Sequence, residues 1–248
     1  MAHVTFPPPY HSPNRVAEQL RDHGYAVLQP VDVAAWLGCE LEALQALNPD
    51  WEALPPDEFL KDGGRYHFRR HASFTVTDAA VVQVPHRAHW QPVKYNALHG
   101  GMERWFAPML EATCAQAVWQ QLIGKLAQLS QQLFAADVHA PCYVEASGIG
   151  RPTPEGAHRD GVDLVAVFLV GRQGIKGGET RVFEASGPSG LRFTLTEPWS
   201  LMLLDDARMI HESTPIQPLS DAHSGARDTL VVTCRAGGFQ GDAEKKSV

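Results

Sequence analysis

From Pro141 onward the chain repeats short apolar or alternating runs bounded by Gly, Pro, Ser and Asp: CYVEASG, VDLVAVFLV, ETRVFEA, LRFTL, SLMLLDD and TLVVTCR. Runs of this length and spacing predict the strands of a sandwich or barrel. Upstream the period changes. Asn14 to Gly24 predicts a short helix closed by a glycine C-cap, with Tyr25 to Pro30 as the strand after it. Val33 to Leu47 and Met109 to Phe134 carry apolar residues three and four apart, which predicts two amphipathic helices. Leu110, Cys114, Ala117, Val118, Leu122, Leu126, Leu129 and Leu133 form the stripe of the second, the face expected to pack on a sheet. No internal repeat is visible, and the last eight residues read as a frayed polar tail. The expectation is one domain over residues 1–248, mainly β with helical N-terminal support: a mixed helical layer over about 1–140 and a β core over about 141–235.

Composition narrows the function classes. Hydrophobic residues make up 44% and charged residues 20% of 248, ordinary values for a soluble chain with enough material for a sizeable core. The net charge of -7 and the lack of a basic stripe argue against a nucleic-acid or anionic-membrane surface. No apolar stretch approaches the roughly 20 residues of a membrane span. MAHVTFPPPYHSP does not read as a signal peptide. Cys39, Cys114, Cys142 and Cys234 are far apart, with no CxxC pair, and are expected as free thiols. A cytoplasmic location follows as the expectation.

The chemistry is concentrated in three places. His158 and Asp160 stand in AHRDGVDLVAVFLV at the entrance to a predicted strand. In extended chain, residues i and i+2 project from one face, so an imidazole and a carboxylate reach the same point; on a helix they would splay apart. His211, in SLMLLDDARMIHESTPI, offers a third ligand after another strand and turn. Two histidines and one carboxylate leave adjacent positions open on a metal, the facial arrangement of iron(II) oxygenases. HxD by itself is also a common surface hydrogen-bonding pair.

Arg227 and Thr229, in ARDTLVVTCR, share the same i, i+2 relation at the start of the last apolar strand. A guanidinium forks onto a carboxylate and a neighbouring hydroxyl adds a further hydrogen bond. Iron(II) with one aspartate keeps a charge of +1, and chelation by the dianion 2-oxoglutarate takes it to -1. The distal carboxylate of that cofactor then needs a cation to meet it. The other reading of Arg227 is a structural salt bridge at the mouth of the β core.

HxD, a gap of 50 residues before His211, and Arg-x-Thr sixteen residues later resemble the iron(II)/2-oxoglutarate-dependent dioxygenases. More narrowly, the chain is similar to the bacterial free amino acid hydroxylases typified by L-isoleucine 4-hydroxylase. The matching stretches are Gly63 to Phe68, Val84 to Met109, Pro154 to Val170, Gly177 to Thr180, Leu204 to Ile216 and Arg227 to Thr233. PEGAHRDGV and DDARMIHESTPI are the most specific of them. The resemblance implies a double-stranded β-helix (jelly-roll) core with the metal between its sheets. It implies hydroxylation of an aliphatic carbon of a free L-amino acid by dioxygen, coupled to decarboxylation of 2-oxoglutarate to succinate. His158, Asp160 and His211 would bind Fe(II), Arg227 would hold the distal carboxylate of 2-oxoglutarate with Thr229, and Thr180 would face the same pocket. One departure bears on the substrate: the stretch between VE and PEG is shortened here to VEASGIGRPTPEG.

For the substrate pocket the candidates are Tyr143, Glu145 and Phe168. Tyr143 and Glu145 share one face of a regular strand, where Glu145 either meets an α-ammonium group or stands as a solvated edge residue. Phe168, Trp105 and Tyr95 are candidate apolar walls or core residues, and Asn96 and Arg104 either touch substrate or satisfy a loop. Competing readings are a cupin-like metal enzyme that does not use 2-oxoglutarate, an inactive binding protein of the same fold, and a structural zinc site completed by Asp205, Asp206 or His223. A serine hydrolase is excluded by the lack of a G-x-S-x-G elbow.

Overall fold

Side-chain alternation along the strands sorts the molecule into a dry side and a wet side of one large sheet. The computed structural model describes residues 6–60, 67–96, 100–150, 156–220 and 225–242. Its N-terminal part contains α1 (Val16–His23), β1 (Tyr25–Leu28), α2 (Pro30–Leu37), α3 (Leu41–Gln45) and α4 (Pro49–Glu52). These are followed by β2 (Phe68–Val76), β3 (Val81–Gln83), β4 (Ala107–Pro108), α5 (Glu111–Cys114) and α6 (Ala117–Phe134). Then come β5 (Cys142–Gly150), β6 (Leu164–Gln173), β7 (Ile175–Gly177), β8 (Thr180–Glu184) and β9 (Gly190–Phe193). The remaining strands are β10 (Leu201–Asp205), β11 (Met209–Ser213), β12 (Ile216–Pro218) and β13 (Ala226–Ala236).

The eight-stranded sheet runs β1-β10-β6-β13-β5-β2-β3, with β4 beside β2; a second sheet runs β11-β8-β9, and β12 pairs with β7. Leu164, Ala166 and Phe168 of β6, Leu230 and Val232 of β13, and Val144 and Ala146 of β5 point to the side covered by Trp119, Leu122, Ile123 and Leu126 of α6. The residues between them face the other way. There Val165, Val167, Met202 and Leu204 pack against Val182, Phe193 and Met209 of the smaller sheet. β6 and β10 are dry on both faces and read as continuous apolar runs, whereas β2, β5 and β13 alternate because one face lines a cavity.

The expected order of elements holds with local changes. Val33 to Leu47 is two helices, interrupted at Gly38, and Met109 to Phe134 breaks between α5 and α6, leaving Leu110 as an exposed N-cap. The division near residue 140 into a helical layer and a β core does not hold, because β1 pairs with β10 and β2 with β5 inside the same sheet. The helical layer is also tied to the core by the Trp51 indole, which donates to the Thr229 carbonyl at 2.9 Å. Asp242, in the expected frayed tail, is held by Arg87 at 2.6 Å; residues 243–248 lie outside the described residues.

Phe168 is corrected from pocket to core. Its even-numbered place on β6 aims it at the helical layer, fully buried against Trp199 at 6.2 Å between ring centroids. Phe168→Ala is expected to cost about 3–5 kcal/mol in denaturant unfolding, the usual penalty for deleting a buried ring. A loss below about 1 kcal/mol would contradict this placement.

Candidate metal and cofactor site

Between the two sheets lies an open-mouthed cavity that His158, Asp160, His211 and Arg227 line together. His158 enters it from the segment before β6, which forms an isolated antiparallel bridge with β11 at His211; the two backbones exchange N–H···O bonds of 3.0 Å. That bridge sets the two imidazoles side by side, 4.6 Å apart at their centroids. Asp160 follows two residues on and faces both: its carboxylate oxygens lie 4.0 Å from His158 Nε2 and 3.9 Å from His211 Nε2. One ligand atom from each of the three lies within 4.8 Å of the others, a group able to hold a metal ion. The Gly156 carbonyl can only accept, so at 2.9 Å it fixes the His158 proton on Nδ1 and puts the lone pair a metal would take on Nε2.

The turn carrying Asp160 is built around Asp206. This buried carboxylate accepts the backbone N–H groups of Asp160 (2.9 Å), Gly161 (2.7 Å) and Val162 (3.1 Å). Burial first, then repulsion from Asp160, raises its pKa. Gly161 has φ +80° and its missing Cβ position is filled by the Tyr95 ring, so glycine is required directly after the ligand. Gln240 closes the turn by donating to the carbonyls of Asp160 and Gly161, both at 2.8 Å. Asp205 and Asp206, named above as possible zinc ligands, are thus occupied with backbone N–H groups; His223 lies outside the described residues.

Gln91 is a site residue that the sequence patterns did not reveal. Its carboxamide donates to Asp160 Oδ1 at 3.0 Å, while its oxygen accepts from Asn96 (3.0 Å) and Arg104 (2.8 Å). Asn96 and Arg104 therefore orient Gln91, which orients the carboxylate. Gln91→Leu is expected to weaken iron(II) binding about 10–100-fold, the usual cost of losing a partner behind a ligand. Anaerobic metal titration checks this; unchanged affinity would remove Gln91 from the site.

At the other end of the cavity Arg227 and Thr229 stand 4% and 5% exposed. β13 is regular against β5 from Asp228 onward, Arg227 pairs with Arg172 of β6, and the register shift against β6 falls between Asp228 and Thr229. Arg227 and Thr229 therefore keep the common face expected of i and i+2. Burial, and secondarily Arg172, pushes the Arg227 guanidinium down to about 10, and its Nε has no hydrogen-bond partner among the described residues. A buried guanidinium in that state fits a carboxylate supplied from the cavity, which a structural salt bridge at this position would have satisfied within the chain. Thr180 lines the same cavity.

The substrate candidates separate. Glu145 lines the cavity at 8% exposure, between His71 Nε2 at 3.4 Å and His89 Nδ1 at 3.6 Å. It is a buried wall residue, and the solvated-edge reading is corrected. Burial pushes His89 down to about 3 and lowers His71 as well. Burial opposes the charge of Glu145, but the two imidazoles hold its pKa below the ordinary value. These three residues form a second group with metal-ligand spacing. Tyr143 shares the Glu145 face but is stacked edge-on under Phe239 at 5.0 Å and does not line the cavity, so it too is corrected. Trp105 is exposed against His86, and Tyr95 packs on Gly161.

Comparisons with known proteins agree with this arrangement. A profile of the 2OG-Fe dioxygenase family matches residues 48–233. A crystal structure of a bsmA homolog from Methylobium petroleophilum PM1 is 48% identical, covers 94% of this chain and 97% of that one, and superposes with a TM-score of 0.88. Two more distant structures share the fold. IDO from Bacillus thuringiensis is 16% identical over 92% of this chain and 100% of that one, with a TM-score of 0.73. The Fe(II)/(alpha)ketoglutarate-dependent dioxygenase TqaL is 16% identical over 93% and 89%, with a TM-score of 0.72. No curated protein matches the chain. The chain belongs to the 2OG-Fe dioxygenase family, whose cofactors are iron(II) and 2-oxoglutarate, and the reading as a metal enzyme without 2-oxoglutarate is set aside.

Proposed function

We propose that the protein hydroxylates an aliphatic carbon of a free L-amino acid, with His158, Asp160 and His211 holding iron(II) and Arg227 with Thr229 holding the distal carboxylate of 2-oxoglutarate. The observation that carries the reading is the pairing, in one cavity, of the His158–Asp160–His211 group with a buried guanidinium whose Nε lacks a partner among the described residues. The bound cofactors supply dioxygen activation, coupling oxidation of a carbon–hydrogen bond to conversion of 2-oxoglutarate into succinate and carbon dioxide. The chain supplies placement. Gln91 holds the Asp160 carboxylate, Asp206 holds the backbone turn that carries it, and the Gly156 carbonyl fixes the His158 tautomer. Val167, Met202 and Val231 form a dry wall that limits water near the reacting carbon.

The two facing sheets are read as a double-stranded β-helix, and residues 1–248 as one dioxygenase domain. Partners are a small-molecule substrate and dioxygen, with no nucleic acid or membrane surface. Among the described residues no helix is long and apolar enough to cross a membrane, and all four cysteines are free, which supports a cytoplasmic setting.

The test is a screen of the free L-amino acids with anaerobically loaded iron(II) protein, 2-oxoglutarate and then oxygen, reading succinate and product mass together. A product heavier by one oxygen atom, with matching succinate, is expected from at least one amino acid. Succinate at the same slow rate with every amino acid would reject the substrate class. No 2-oxoglutarate turnover at all would favour the inactive binding protein.

A further inference from the structure

The function proposed above gives no role to the polar knot at the Gln91 side of the cavity. β2 and β5 are antiparallel neighbours with Arg69, His71 and Ser73 opposite Ile149, Ser147 and Glu145. Arg69, Glu145 and Ser147 line the same cavity as the His158–Asp160–His211 group. Arg69 donates to Ser147 Oγ at 3.1 Å, and Ser147 Oγ lies 3.1 Å from His71 Nδ1. A guanidinium can only donate, so Ser147 Oγ accepts from Arg69, and His71 Nε2 lies between Ser73 Oγ at 3.2 Å and Glu145 at 3.4 Å. Glu145, whose pKa is held below the ordinary value, stands beside them as an acceptor-only carboxylate. The ion-pair distances that Glu145 makes among the described residues, 3.4 and 3.6 Å, are to histidines alone. Both exceed the about 2.7–2.9 Å of a charge-assisted bond. A buried carboxylate so weakly met is complementary to a cation arriving from the cavity.

Arg69 brings its guanidinium to the level of Ser147, one same-face step from Glu145, a separation of about 7 Å along the strand. An α-amino acid lying between them can give its carboxylate to one and its ammonium to the other.

We propose that Arg69 and Glu145 form a zwitterion clamp that binds the α-carboxylate and α-ammonium of a free amino acid and so excludes substrates lacking either charge. The inference rests on the amino acid hydroxylase reading above and adds its recognition device. Iron(II), one aspartate, 2-oxoglutarate and Arg227 already sum to zero charge, so a zwitterion matched by one arginine and one glutamate leaves the closed site neutral.

The experiment uses the full-length protein loaded anaerobically with iron(II) and 2-oxoglutarate. The amino acid with the fastest succinate release in the screen above is titrated by calorimetry, alongside its N-acetyl and carboxamide derivatives. The wild type is expected to prefer the free amino acid by about 100-fold or more over either derivative. Glu145→Gln should lose most of the discrimination against the N-acetyl compound only, and Arg69→Met most of that against the carboxamide only, with iron and 2-oxoglutarate affinities unchanged in both. A merely structural role would not give that crossed pattern. If wild type turns over a free amino acid but both variants keep its discrimination, the clamp is wrong while the hydroxylase reading stands. If no free amino acid supports turnover, the hydroxylase reading itself fails. Binding of one zinc ion beside the iron(II), lost in Glu145→Gln, would also overturn the clamp and mark His71, His89 and Glu145 as a metal site.

Discussion

Replacing Arg227 by methionine should make the cofactor-free protein more stable while destroying its hold on 2-oxoglutarate. The two effects have one cause. The guanidinium is buried, its pKa is pushed down to about 10 by burial and then by Arg172, and its Nε has no partner among the described residues. A drop of that size corresponds to about 3 kcal/mol of unfavourable burial for the cation. An apolar side chain of similar length removes that cost, so the cofactor-free variant is expected to gain about 1–3 kcal/mol in denaturant unfolding. In the complex the sign reverses. The distal carboxylate of the cofactor loses its counter-charge, a loss worth about 2–5 kcal/mol, or roughly 30- to 5000-fold in affinity. Thermal melting with and without 2-oxoglutarate under anaerobic iron(II) separates the two. The wild type starts lower and rises with the cofactor, whereas the variant starts higher and does not move. A variant that melts lower without cofactor and still responds to it would return Arg227 to a structural salt bridge.

Asp206→Ala should cause the other large loss, although Asp206 touches neither metal nor substrate. Its carboxylate is 2% exposed and takes three backbone N–H groups in succession, from Asp160, Gly161 and Val162. Each donor left unsatisfied in that buried turn costs about 1–3 kcal/mol. Unfolding free energy should therefore fall by at least about 3 kcal/mol, and iron(II) affinity by more than about 100-fold as the turn releases Asp160. Asp206→Asn, whose single carboxamide oxygen can accept only part of the set, should fall between. Anaerobic iron titration beside denaturant unfolding checks both effects; unchanged iron affinity in the alanine variant would mean that the turn holds its shape without Asp206.

What the sequence made legible followed from periodicity of two. His158 with Asp160, and Arg227 with Thr229, were each placed on one face by their i, i+2 spacing, and each pair lines the cavity. The partnership of His158 with His211 was not derivable from spacing. It depends on a bridge between a segment before β6 and a strand of the other sheet, a long-range contact with no local signature.

β2 was missed because FRRHASFTV reads as half polar. Its polar side chains face a cavity rather than solvent, and a polar cavity wall and a wet surface give the same alternation. The same ambiguity produced the error at Phe168. The sequence leaves Phe168 as wall or core, and on a strand dry on both faces only the register against α6 decides the direction, which places it in the core. Gln91 was invisible for a third reason. A carboxamide in a loop has no pattern, and its role appears only when Asn96, Arg104 and Asp160 converge on it.

The central claim is that one cavity holds iron(II) on His158, Asp160 and His211 and anchors 2-oxoglutarate on Arg227. The most direct measurement is anaerobic calorimetry of iron(II), then 2-oxoglutarate, on the wild type, Asp160→Ala, His211→Ala and Arg227→Met. The account predicts one iron(II) per wild-type chain and 2-oxoglutarate binding that depends on it. Iron binding should be lost in the first two variants and kept in the third, with 2-oxoglutarate binding lost in all three. Full iron and 2-oxoglutarate binding by Asp160→Ala and His211→Ala would contradict it.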